Sequence, residues 1–219
     1  MERTRKRDQI IELHKHVLGL VTEDDYEIMG EEITEKNKYI KKLDEMIKTV
    51  STDKTISIQK SDDNKGLVIT KWGDKNWTTG KIIFPAEGIT SFTVYNSSGT
   101  SDVLSGFTNH QNVSPNWRYP GTGENSAKWD RVIACSSDDG NIHYGDSYKS
   151  YQNNKWNNQN DHITVKIVKD KIEFETNSKN SSLKLRFDRK EYGVNGKLFP
   201  ALAIHNEIKT VLLTDVKFE

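Results

Sequence analysis

Apolar positions along this chain keep two different rhythms, and the change falls near residue 50. From Tyr26 the series Tyr26, Met29, Ile33, Lys36, Ile40, Leu43, Ile47, Val50 steps alternately by three and four residues. That spacing lines one stripe of an α-helix and is the seam of a coiled coil, broken only at Lys36. An upstream series, Ile10, Leu13, Val17, Leu20, has the same steps in a different phase. The slip falls at Val21-Thr22-Glu23-Asp24-Asp25, where Thr22 suits a helix cap and the acids suit a first turn. The pattern predicts a short helix over about 5–20 and a longer one over about 23–50, either continuous or folded back as a hairpin. A seam of this length serves self-association, most simply a parallel dimer through Tyr26, Met29, Ile33, Ile40, Leu43 and Ile47. The alternative is an amphipathic helix packed on its own domain.

After Ser51 the rhythm becomes that of strands. Short β-rich runs alternate with Gly, Asn, Asp and Ser clusters. They predict strands at 55–59, 67–70, 81–84, 89–95, 103–108, 131–136, 141–144, 162–169, 172–176, 183–188, 199–205 and 209–217. The plainest hairpin runs Ile163-Thr164-Val165-Lys166-Ile167-Val168, a turn at Lys169-Asp170-Lys171, then Ile172-Glu173-Phe174-Glu175. Alternation places Ile163, Val165, Ile167, Ile172 and Phe174 on a buried face. No helix-length pattern follows residue 55, which argues against a parallel α/β fold. The chain thus reads as a helical segment, 1–50, and an all-β domain, 51–219.

Composition adds exclusions. The chain has 219 residues, 32 basic and 32 acidic side chains, and no net charge. A protein that holds nucleic acid by neutralising phosphates carries a basic excess, so no nucleic-acid partner is expected. No apolar run approaches a membrane span. The basic start lacks the apolar stretch of a secretory leader. With a single cysteine, Cys135, neither an internal disulfide nor a multi-cysteine metal site is available. A cytoplasmic setting is the expectation. The glycosylation-type triplets at Asn76, Asn96, Asn112 and Asn180 then read as products of an Asn-rich composition.

Several segments resemble the SPRY domain. Asn76-Trp77 precedes Gly88-Ile89-Thr90-Ser91-Phe92-Thr93-Val94, similar to that family's Gly-x-x-x-aromatic-x-Val strand, with Phe92 where Trp is more usual. Val103-Leu104-Ser105-Gly106-Phe107, Asp138-Asp139-Gly140-Asn141-Ile142-His143-Tyr144-Gly145 and Lys171-Ile172-Glu173-Phe174 match later strands and turns. Asn160-Asp161-His162-Ile163-Thr164-Val165 resembles a Gly-Asp-x-Ile-x-Val strand, with Asn160 in place of Gly. Gly196-Lys197-Leu198-Phe199-Pro200-Ala201-Leu202-Ala203-Ile204 is the most specific match. The resemblance covers roughly residues 53–217. It implies a mainly β fold, an antiparallel two-sheet sandwich of concanavalin-like topology, here preceded by an α-helical coiled-coil segment. That layout resembles tripartite-motif proteins, but RING and B-box modules need Cys and His clusters this chain lacks. Ubiquitin-ligase activity is therefore not implied.

Candidate chemistry is sparse. Cys135 lies in the apolar run Val132-Ile133-Ala134-Cys135 and reads as a core thiol. The histidines of the β region show no metal-ligand spacing, and there is no nucleophile elbow or phosphate loop. Glu173 and Glu175 have the period-two spacing of a glycosidase pair, but also that of a solvated strand face. Asp62-Asp63-Asn64 and Asp138-Asp139-Gly140-Asn141 read as turns rather than calcium loops. No enzyme, cofactor or metal is predicted. A SPRY-like domain implies a protein or peptide partner held by edge loops. Two long polar, aromatic-rich segments, His110–Pro120 and Tyr148–Asn160, offer Trp117, Arg118, Tyr119, Tyr151 and Trp156 as anchors, since such side chains bury large areas at low entropic cost. Trp72, Trp77 and Trp129 read as core. The alternative function is a carbohydrate-binding, lectin-like sandwich.

Overall fold

The computed structural model describes residues 23–73, 80–97, 102–114, 131–144, 147–151, 155–179, 181–205 and 209–219. The predicted first helix, Trp77, Trp117, Arg118, Tyr119 and Trp129 lie outside the described residues. The chain divides into two compact units, Met1–Lys42 and Leu43–Glu219.

Helix α1 spans Glu23–Thr49. In the first unit Ile28 and Ile33 are 55% and 58% exposed, Ile40 is half-buried, and Tyr26 and Met29 occupy the opening turns. The last two turns of α1, from Leu43, belong to the second unit. There Leu43 and Met46 are completely buried and Ile47 is half-buried. This corrects one expectation. Leu43 has no exposed surface in a single chain, so it serves that chain's own packing and is not free to form a seam with another copy.

Fourteen strands follow among the described residues: β1 (Ser51–Thr52), β2 (Ile56–Lys60), β3 (Gly66–Lys71), β4 (Lys81–Ile83), β5 (Ile89–Asn96), β6 (Val103–Thr108), β7 (Val132–Ser136), β8 (Ile142–Tyr144), β9 (Ser147–Lys149), β10 (His162–Val168), β11 (Lys171–Ser178), β12 (Ser181–Asp188), β13 (Phe199–Ile204) and β14 (Lys209–Phe218). They form two seven-stranded sheets, β1-β4-β13-β6-β7-β8-β9 and β12-β11-β10-β5-β14-β3-β2. Every pairing is antiparallel. The fold is mainly β, a two-sheet antiparallel sandwich with one N-terminal helix among the described residues. All twelve predicted strands are present. The predicted hairpin forms with a tighter turn, because Val168 pairs Lys171 and Lys169 takes a left-handed φ of 56°.

The sheets meet where Phe92 of β5 packs edge-to-face on Phe107 of β6, ring centroids 5.3 Å apart. Register carries this inner face across the second sheet, from Phe92 to Val165, Phe174 and Leu185. The outer face of that sheet is polar at its centre, with Thr93 hydrogen-bonded to Thr164 at 3.0 Å and Thr70 to Thr210 at 3.2 Å. Strands β4, β13, β6 and β7 of the first sheet are buried on both faces. Ile83, Leu104, Val132, Ala134, Phe199, Ala201 and Ala203 form a core cluster against which Val113 packs. Runs such as Phe-Pro-Ala-Leu-Ala-Ile therefore lack alternation; no residue of β13 faces solvent. Gly106 makes this packing possible. A Cβ there would lie 2.6 Å from Cα of Ala134 and collide with the Ile133 carbonyl oxygen.

Asp53 ties the strand entry together. Its carboxylate accepts from the backbone N–H of Thr55 at 3.0 Å, of Gly80 at 2.6 Å and of Lys81 at 3.3 Å. Trp72, read as core, is instead 54% exposed. It ends the alternating run of β3, where burial passes from Lys71 to solvent.

Candidate functional site: a tyrosine-rich rim between two sheet edges

Strand β9, which the periodicity does not predict, forms one edge of the first sheet, and β12 forms one edge of the second. A group of aromatic side chains spans the opening between them. Tyr144 at the end of β8 lies 4.5 Å from Tyr192, centroid to centroid, with the rings edge-to-face. Tyr192 follows β12 and packs 5.6 Å from Phe187. Phe187 also meets Tyr151 at 5.9 Å and Phe174 of the inner face at 5.9 Å. The rim is thus continuous with the core, which holds its rings in place.

The outer part of the rim is open. Tyr148 is 56% exposed and sits 5.8 Å from His143. All three residues of β9 are exposed. Lys149 donates from Nζ to Oη of Tyr192 at 2.5 Å and stands 5.2 Å from that ring's centroid. The bond to Tyr192 raises the pKa of Lys149, and burial raises that of Tyr151. Lys149 thus sets one ammonium among the rings of the rim. Flat amphipathic rings fixed by packing, with exposed edges and one cation, form a surface that can stack on and hydrogen-bond a ligand.

Of the predicted anchors, the structure places Tyr151 on this rim. Trp156 is a correction. It is completely buried, and its backbone N–H donates to Ser137 at 3.1 Å, so it packs the interior and presents nothing to a partner. Tyr148 and Lys149 fall within the segment that the sequence marks out. Tyr144 and Tyr192 carry no local signal of this role, because their approach depends on the pairing of β8 with β9 and on the chain path after β12.

Several titratable groups elsewhere are tied into structural pairs. Glu173 was expected on a solvated face but is 2% exposed. Lys166 and Lys184 approach it at 3.6 and 3.4 Å, and Arg186 Nε donates to it at 2.6 Å. Burial pushes the Glu173 pKa up, but the bonds from Arg186 and Lys184 outweigh it and leave it lowered. Bonds from Lys166 and Lys184 lower that of Glu175, against burial. The surrounding cations favour the ionised form of both acids. His205 Nδ1 lies 3.1 Å from Asp102; burial, then the nearby Asp138, raises the Asp102 pKa against His205. The Asp63 and Asp139 carboxylates bond their own turns, at the N–H of Lys65 (3.0 Å) and of Asn141 (2.8 Å). Cys135 is buried. The Asn96 of a glycosylation-type triplet is completely buried. Among the described residues no cluster of His, Cys, Asp and Glu is arranged to hold a metal ion, and no helix is long and apolar enough to cross a membrane.

No family model matches this chain, and no curated protein does. Solved structures do. The SPRY domain of human HERC1 superposes with a TM-score of 0.48 at 13% identity, over 78% of this chain and 98% of that one. Stonustoxin gives 0.44 at 12% identity, over 76% and 26%. The exoplasmic/lumenal domain of VIP36, in its Ca2+/Man3GlcNAc-bound form, gives 0.42 at 8% identity, over 78% and 85%.

Proposed function

We propose that this chain is a non-enzymatic interaction module, a SPRY-like sandwich that grips a peptide or protein by its rim and is oligomerised by the N-terminal helix. The observation that carries this reading is the tyrosine rim, where Tyr148 and Lys149 stand on an exposed edge strand, followed by Tyr151, and are backed by Tyr192 and Phe187. Rigid aromatic anchors beside a cation are the composition of interface hot spots. An open strand edge adds main-chain donors and acceptors for an extended segment. Trp117, Arg118 and Tyr119 extend the proposed contact surface from the sequence. Ile33, exposed on the first unit, is the proposed contact between copies, with Tyr26, Met29 and Ile40 on the same stripe. Pairing would raise the apparent affinity of a weak single site. A cytoplasmic setting, as the lone cysteine suggests, belongs to the same reading.

Affinity capture with mass spectrometry tests it, comparing the wild-type chain with a Tyr148→Ala, Lys149→Ala variant. Both positions are exposed, so the fold is expected to survive. Proteins lost from the variant's list and retained by the wild type support the rim. Identical lists remove it. Binding on a glycan array, abolished by the same variant, would redirect the reading to a carbohydrate ligand.

A further inference from the structure

A cavity of about 410 Å³ opens between the β4–β5 and β12–β13 connections, and it shares no residue with the tyrosine rim. Its floor is apolar: Ile89, Leu198 and Phe199 are 2%, 8% and 2% exposed, and Ile167 completes it. Its mouth is charged. Lys197 is neutralised by Glu87, 2.5 Å away. Lys169, Arg189 and the acid Glu219 also line it, and among the described residues no ion pair joins a carboxylate to either cation.

Arg189 is held in a defined pose. Its backbone N–H donates to the Asp170 carbonyl at 3.0 Å. Its Nε donates to the Val194 carbonyl at 3.3 Å, and one terminal nitrogen donates to the carbonyl of Gly196. Carbonyls orient a guanidinium without cancelling its charge, and they leave donors for a further acceptor. Lys169 is placed by the left-handed turn residue it occupies, φ 56°. The opening therefore combines a small apolar chamber with a lip of two cations against the one side-chain carboxylate of Glu219, a volume and lining that suit a small ligand.

We propose that this cavity is a binding site for a carboxylate carried on a compact apolar body, with the carboxylate between Arg189 and Lys169 and the apolar part over Phe199, Leu198 and Ile89. Two sources share that chemistry: a free organic acid, and the C-terminal residue of a polypeptide ending in an apolar side chain. A planar fork suits a carboxylate, and the apolar floor gains nothing from a bare inorganic anion.

The test is titration of the full-length, isotope-labelled chain followed by amide NMR. The probes are 3-phenylpropionate, N-acetyl-Gly-Leu, the neutral N-acetyl-Gly-leucinamide, and inorganic phosphate. The two carboxylates are expected to give saturable shifts at Gly88 and Thr90, which line the cavity; the amide and phosphate are not. Preference for N-acetyl-Gly-Leu over 3-phenylpropionate assigns the polypeptide source, and the reverse assigns the free acid. Lys169→Asn keeps a residue tolerant of the left-handed turn and should weaken binding about threefold to tenfold, as for a lost charged contact near solvent. Arg189→Lys keeps the charge but not the fork and should also weaken it. No saturation below about 10 mM, a dissociation constant too weak to signify a formed site, overturns the proposal. So does equal binding of the amide or phosphate, or indifference to both variants.

Discussion

The ammonium of Lys149 donates to the phenol oxygen of Tyr192 at 2.5 Å, joining the edge strand of one sheet to the chain that leaves the edge of the other. The contact lies at the surface and contributes little to stability. Its consequence is positional, since it holds Tyr192 against Tyr144 and keeps the rim's rings in one arrangement. Tyr192→Phe is expected to shift the urea midpoint by less than about 1 kcal/mol equivalent. Tyr148→Ala, which removes the most exposed ring, should leave stability within about 0.5 kcal/mol and weaken a captured partner at least tenfold if that ring is an anchor. Unchanged partner affinity in Tyr148→Ala removes the ring from the interface.

Trp156 behaves oppositely. Its side chain is completely buried, so Trp156→Ala should cost about 3–5 kcal/mol. Its emission should be blue-shifted and poorly quenched by iodide in the folded protein. A stable Trp156→Ala variant would contradict the packing described.

Gly106 marks a close approach between β6 and β7. A methyl group there meets the Ile133 carbonyl and Ala134 Cα, both backbone atoms that cannot swing aside. Gly106→Ala is expected to destabilise the domain by roughly 1–3 kcal/mol or more. Chemical denaturation followed by tryptophan fluorescence measures it, and a neutral result would mean the strands stand further apart.

Stability should rise with pH on the alkaline side. Burial lowers the pKa of Lys81 and of Lys209 to about 8, while in the unfolded chain both sit near the ordinary lysine value of 10.5. Between those values the unfolded chain binds more protons, so each lysine adds up to about 1.4 kcal/mol per pH unit as pH increases. Below about pH 8 both are charged in both states and the cost of burying the charge is fully present. Lys209→Met should therefore be more stable than wild type at pH 7.5, and the difference should shrink by pH 10. A difference independent of pH would contradict the assignment.

Two positions on α1 separate self-association from folding. Ile33 is 58% exposed and Leu43 is completely buried. Ile33→Asp should leave the thermal midpoint of a single chain unchanged and convert an oligomer to monomers by light scattering. Leu43→Ala should lower stability by about 2–5 kcal/mol whatever the oligomeric state. A monomeric wild-type chain removes the seam altogether.

The sequence by itself determined where strands form and which of their faces are buried wherever one face meets solvent. Ile163, Val165, Ile172 and Phe174 are legible because polar neighbours separate them. Strand β9 is not legible, since Ser-Tyr-Lys carries no apolar alternation and exists as a strand only through pairing with β8. Burial of individual aromatics was likewise decided by tertiary structure. Trp72 and Trp156 are chemically identical, yet one is 54% exposed and the other completely buried, because burial depends on what the fold lays over each ring. The heptad stripe shows the same division. Its spacing fixes a helix, but only the packing of the second unit takes Leu43 inward and leaves Ile33 in solvent. The rim and the cavity are assembled from segments distant in the chain, and local patterning carries no record of which segments the topology brings together.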